Sequence, residues 1–143
     1  MRIYLAGPIG GRKDRNLPAF MEGAEFIRST GKHEVVTPFD IVLHDAMTEC
    51  ATGKDTGFEA DDHPYGCYLI ACLQLLSTCD MFAMLHDWDA SPGARVERAY
   101  AHAAKLQQFM PIIGPKDLEL GRHRIEARAH VAAKAATTDL RSA

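Results

Sequence analysis

The chain has no G-x-G-x-x-G segment and no P-loop lysine pattern, so the glycine fingerprints of dinucleotide and nucleoside-triphosphate binding are both missing. Its four cysteines, Cys50, Cys67, Cys72 and Cys79, form no C-x-x-C pair and no metal-finger spacing. A structural metal site is therefore not expected, and free thiols point to a reduced, cytoplasmic setting. No apolar run is long enough to span a bilayer, and the opening MRIYLAGPIG lacks the long apolar stretch of a signal peptide. No membrane partner is expected. Positive charge is not in excess either. Against 19 Asp and Glu stand 16 Lys and Arg, a net charge of −3, which leaves no basic footprint for a nucleic acid. A local basic spot still suffices for one phosphate.

What is present is an ordinary globular mix, 47% hydrophobic and 24% charged, in a chain long enough for a single domain over residues 1–143. Ile3 to Ala6 is β-rich and stops at Gly7-Pro8, which predicts a first strand. A polar loop follows over Gly10–Asn16. From Leu17 to Ser29, Phe20, Ala24 and Ile27 recur at helical spacing, with Gly31 as the stop. Glu34–Thr37 predicts a second strand ended by Pro38. Residues 41–64 show no sustained period and are expected to form a surface excursion. Tyr65–Ser77 suits a buried helix. Met81–Leu85 is a continuous apolar run, as in a strand buried on both faces. After the loop His86–Gly93 come a helix over Ala94–Leu106, a strand over Phe109–Ile113 and a terminal helix over Asp117–Ala135. Strands alternating with helices imply an α/β fold: a parallel sheet of four to five strands, with helices on both faces. Ligands in such sheets bind beyond the carboxyl ends of the strands, where the strand order switches. That singles out the loops after the first strand and after Met81–Leu85.

The first loop joins glycines to a basic cluster, which lets backbone amides approach an anion. The second runs Ser91-Pro92-Gly93-Ala94-Arg95-Val96-Glu97: a hydroxyl and a glycine before a helix, then a carboxyl on its first turns. Ser91 and the free amides there suit a phosphate, although a helix-capping role explains them equally. His123, Glu126 and His130 recur at spacings of three and four like a metal-binding face, but an Arg-dense helix is more simply a solvated or subunit-facing stripe. The remaining cysteines of the apolar helix, Cys67 and Cys72, and Cys79 beside it, are expected in the core.

MRIYLAGPI followed by GGRKDR, the apolar strand and SPGARVE together resemble the nucleoside 2-deoxyribosyltransferase superfamily over most of residues 2–113. The resemblance is closest to the branch of 2′-deoxynucleoside 5′-monophosphate N-hydrolases and CMP N-glycosidases. It implies a flavodoxin-like (Rossmann-like) fold that forms a homodimer or larger homo-oligomer. It also implies a small-molecule nucleotide substrate and catalysis without a metal or organic cofactor. Glu97 would attack the anomeric C1′, and Tyr4 would orient it. Gly7, Pro8, Ile9, Ser91 and Gly93 would bind phosphate and sugar, with Arg12 as a second phosphate contact and His86 and Asp87 near base or sugar. The transferase branch carries an aspartate where this chain has Ser91; a hydroxyl donates to a phosphate that a carboxylate would repel. Ser91 thus favours a 5′-phosphorylated substrate. At Cys72 the superfamily usually has an aspartate, and Asp61, Asp62 or His63 are the residues available to substitute for it. The rival expectations are base exchange on free deoxynucleosides and a nucleotide-binding sensor without turnover.

Overall fold

A computed structural model describes residues 1–41 and 65–142, and the side chains of 1–41 and 66–136. The excursion expected at 41–64 lies outside the described residues apart from Ile41, as do Cys50, Asp61, Asp62 and His63. Four strands form one all-parallel sheet in the order β2-β1-β3-β4: β1 (Arg2–Ala6), β2 (Glu34–Val36), β3 (Met81–Met84) and β4 (Gln107–Gln108). Four helices, α1 (Leu17–Ser29), α2 (Tyr65–Leu76), α3 (Pro92–Ala103) and α4 (Pro115–Ser142), complete an α/β architecture consistent with a flavodoxin-like fold.

Both faces of the sheet are buried, and the two-residue period of a strand sorts its side chains between them. Ile3 and Leu5 stand beside Met81 and Ala83 in register. These four pack with Phe20, Ala24 and Ile27 of α1 and Leu118 of α4. Tyr4 and Ala6, paired with Phe82 and Met84, face the other way. They meet Cys72 and Leu76 of α2 and Ala94 and Ala101 of α3. The continuous apolar run of β3 thus fills two cores at once. Each fully buried Ile or Leu of these cores, such as Ile3, Leu5 or Leu76, contributes about 1.5–3 kcal/mol.

The α1–α4 face is stapled where Gly121 crosses α1. A Cβ added at Gly121 would lie 1.9 Å from the Glu22 carbonyl oxygen, so the two backbones touch there and only glycine fits. Beside this crossing Glu25 is buried among arginines. Arg128 Nη2 donates to its Oε2 at 2.7 Å, and Arg28 and Arg124 each stand 3.7 Å away.

Some boundaries differ from expectation. The strand expected over Phe109–Ile113 instead pairs at Gln107–Gln108. It continues through the bond from Phe109 N–H to the Phe82 carbonyl (2.8 Å) and resumes at Ile113, whose N–H meets the Met84 carbonyl (2.8 Å). Pro111, with no N–H to give, lies in the gap. Thr37 leaves the second strand to cap a 3-10 turn over Pro38–Asp40, accepting from Phe39 N–H at 3.2 Å while its own N–H meets Asp40 Oδ2 at 2.8 Å. α3 begins at Pro92, whose missing N–H costs nothing in the first turn, and α4 runs from Pro115 to Ser142.

Because β2 and β3 flank β1 on opposite sides, the chain leaves β1 toward α1 on one face and β3 toward α3 on the other. A crevice opens between the two departing loops. Among the described residues no helix is long and apolar enough to cross a membrane.

Candidate active site

The crevice is a cleft of about 1030 Å³. Its first wall is the loop after β1. Gly7 passes so close to the end of β3, at the carboxyl end of the sheet, that a Cβ would sit 2.7 Å from Leu85 Cδ1. The loop is then cinched by Asn16, whose Nδ2 donates to the Pro8 carbonyl at 2.9 Å. Asp14, Arg15 and Asn16 hold successive φ values of 53°, 55° and 62°, a left-handed turn that costs L-residues roughly 1–2 kcal/mol each. The turn carries Arg15 to the cleft, alongside Gly7, Ile9 and Gly10.

The second wall is the start of α3. Ser91 is its N-cap, with Oγ accepting the Ala94 N–H at 3.2 Å, and Pro92 follows at the first helical position. Ser91, Gly93, Ala94 and Glu97 all face the cleft. Glu97 sits on the stripe Gly93, Ala94, Glu97, Ala101 that α3 turns inward, at spacings where the helix needs apolar residues. The remaining walls are apolar and aromatic: Pro38, Phe39 and Ile41 beyond β2, and Tyr68, Leu69 and Cys72 from α2.

Glu97 is only 5% exposed and forms no ion pair among the described residues. Its neighbours are Tyr4 of β1 and Cys72 of α2, both buried. Burial pushes the Glu97 carboxyl up to about 7, with the Tyr4 hydroxyl pulling the other way by favouring the charged form. Tyr4 is raised far above the ordinary phenol range, first by burial and then by the charge of Glu97. Cys72 is pushed up to about 11 by burial and by the same charge, so its thiol stays protonated at neutral pH. The Tyr4–Glu97 contact is close but lacks the geometry of a formed hydrogen bond: Tyr4 Oη and Glu97 Oε2 are both buried without a partner. Two buried polar atoms without partners cost free energy, and beside a cleft they single out this place as the candidate site.

Of the residues expected from sequence, Glu97, Gly7, Ile9, Ser91 and Gly93 line one cleft, and Tyr4 lies behind Glu97. Pro8 supports the loop through its carbonyl. Arg12, His86 and Asp87 are not among the lining residues. Instead, Asp87 Oδ2 stands 3.8 Å from Arg12 Nη1 and 3.2 Å from His86 Nδ1, an exposed clasp joining the two loops. Among the described residues Arg15 is the cation that reaches the cleft; the phosphate contact was expected at Arg12, three positions earlier, which does not line it. Phe39 and Ile41 were also missed, although their place just past the carboxyl end of β2 is where the switch-point rule would have looked. His123, Glu126 and His130 are exposed on α4, with His123 Nε2 4.0 Å from Glu119. Among the described residues no group of three or more metal-ligating side chains is assembled.

Fold and site together define a parallel α/β domain whose switch-point cleft holds, among the described residues, one buried, unpaired carboxyl group. The chain belongs to the family described as Domain of unknown function (DUF4406), whose model matches residues 1–110. No curated protein and no solved structure matches the chain. The matched stretch contains every described residue of the cleft and ends before α4.

Proposed function

We propose that this protein is an N-glycosidase that hydrolyses a nucleoside or deoxynucleoside 5′-monophosphate to free base and sugar 5-phosphate. The observation that carries the proposal is Glu97: a buried carboxyl with no ion pair among the described residues, facing a cleft and backed by a tyrosine hydroxyl. In this reading the Glu97 carboxylate attacks C1′, the C1′–N bond breaks, and its electron pair leaves with the base, which takes up a proton. Water then attacks C1′ of the glycosyl-enzyme, gives up a proton and releases the sugar phosphate, returning the carboxylate. In this reading the Tyr4 hydroxyl, which lies beside Glu97, turns to donate to the carboxylate and favours its ionised form. The apolar and aromatic wall of Phe39, Ile41, Tyr68 and Leu69 suits a planar base. Arg15, the Ser91 hydroxyl and the amides opening α3 suit a single phosphate. The likeness of GGRKDR and SPGARVE to the nucleoside 2-deoxyribosyltransferase superfamily, and to its monophosphate-hydrolase branch through Ser91, supports the same chemistry.

The test is base release, followed by chromatography, from a panel of nucleoside monophosphates and the matching nucleosides. Release from a monophosphate but not its nucleoside is expected, with Glu97→Gln lowering the rate by about a thousandfold or more. Full activity in Glu97→Gln refutes the mechanism. Tight binding with no base release by the folded chain would identify a nucleotide sensor instead.

A further inference from the structure

Asn16 stands at the amino end of α1, where an asparagine side chain ordinarily accepts a hydrogen bond from one of the first helical amides. Here its side chain caps nothing. Its backbone is left-handed, at φ 62°, and its Nδ2 reaches back eight positions to donate to the Pro8 carbonyl at 2.9 Å. That bond closes the loop after β1 into a ring, inside which the Arg12 N–H meets the Ile9 carbonyl at 3.3 Å and the Arg15 N–H meets the Arg12 carbonyl at 3.1 Å. Arg15 directly precedes the closing residue and lines the cleft. With Asp87 turned to Arg12, Arg15 makes no ion pair among the described residues. We propose that Asn16 is a positioning residue for phosphate binding: its bond to Pro8 holds the left-handed turn that presents Arg15 to the cleft. This rests on the reading of the cleft as a nucleoside monophosphate site with Arg15 as its cation.

Backbone preferences give the direction of the effect. Asparagine is among the residue types that accept the left-handed region, and arginine is not, so the φ of 55° at Arg15 is imposed by its neighbours. Among the described residues the Asn16–Pro8 bond is the one side-chain hydrogen bond that closes this loop on itself. Without it the turn relaxes toward right-handed or extended backbone, the Cα–Cβ direction of Arg15 changes, and the guanidinium leaves the cleft. A phosphate then finds its cation only in the fraction of molecules that keep the turn, and its affinity falls by that fraction. A hydrogen bond of ordinary strength shifts such a population by about two- to tenfold.

The test is an NMR titration of the full chain with ribose 5-phosphate and with 2-deoxyribose 5-phosphate, neither of which carries a base to release. Asn16→Gly keeps the left-handed freedom and removes only the bond; it is expected to weaken the tighter sugar phosphate by about two- to tenfold. Asn16→Ala removes the bond and the tolerance together and should weaken it at least as much. In an Arg15→Ala background Asn16→Gly is expected to change binding by less than about twofold, an outcome that general damage to the loop would not give. Without ligand, the strong contact between the Arg15 amide and its own Hα that marks a left-handed residue should fade in both Asn16 variants. Undiminished binding by Asn16→Gly, an equal loss with and without Arg15, or a wild-type chain that binds neither sugar phosphate overturns the proposal. Base release that persists alongside any of these leaves the hydrolase reading standing. Binding that depends on Arg15 and Asn16 in a chain that releases no base keeps this inference and refutes the hydrolase.

Discussion

Replacing Glu97 with glutamine is expected to stabilise the folded chain at neutral and alkaline pH and, under the proposed mechanism, to abolish base release. An isolated glutamate titrates near 4.5, whereas burial moves the folded carboxyl up to about 7. Between these midpoints the folded chain holds a proton that the unfolded chain has released. Wild-type stability from this group is fully present below 4.5, falls by about 1.4 kcal/mol per pH unit, and is lost once the pH has risen through about 7. The whole excursion amounts to about 3 kcal/mol, a large part of a small domain's stability. Glutamine does not ionise, so its variant escapes this loss and carries only a constant offset from its buried amide. Urea unfolding of both proteins at about pH 4, 5.5, 7 and 8.5 gives the difference in ΔG at each pH. That difference should grow in favour of Glu97→Gln up to about pH 7 and then level off. A difference that stays flat across the range would refute the reasoning, because it would mean that Glu97 titrates alike in both states.

Two further substitutions test the frame around the site. Gly121→Ala forces a methyl into the Glu22 carbonyl and should cost at least about 2 kcal/mol in the same assay. Gly10→Ala, where a Cβ meets nothing within 4 Å, should stay within about 0.5 kcal/mol. Arg15→Ala should weaken calorimetric binding of a nucleoside monophosphate by about tenfold or more, and Arg12→Ala by less than about threefold; the opposite order would return the phosphate contact to Arg12.

How far the sequence was legible follows from the range of the forces involved. β3 was plain because a strand buried on both faces must be apolar at every position, as Met81 to Met84 are. The two switch-point loops were plain because glycine, proline and serine act on the backbone beside them. β4 was misplaced because a single missing N–H at Pro111 outweighed the apolar run around it. Arg15 could not be told from Arg12, since both are arginines in a polar loop. The left-handed turn at Asp14–Asn16 and the remote Asp87 carboxylate divide their roles. On α2 the resemblance pointed to Cys72, but Tyr68 and Leu69 were hidden, because a helix apolar all round does not declare which residues meet the cleft.

The contrast between the two buried glutamates supports the role proposed for Glu97. Glu25 and Glu97 are 3% and 5% exposed, each on the inward stripe of a helix packed on the same sheet. Around Glu25 the fold gathers Arg28, Arg124 and Arg128, two of them supplied by α4 from the far end of the chain. A carboxylate removed from water needs such partners, and where stability is the only requirement they accumulate. Around Glu97 there is no cation among the described residues, only a tyrosine and a thiol that both stay protonated at neutral pH. An arginine beside Glu97 would hold it ionised and stable, and would also draw its charge away from any electrophilic carbon in the cleft. Leaving the carboxyl bare keeps its midpoint near neutrality and its oxygen unsatisfied, which costs the fold stability and leaves an acceptor for a developing positive charge. The sheet thus has one face that balances its buried charge and one that does not, and the cleft opens on the second.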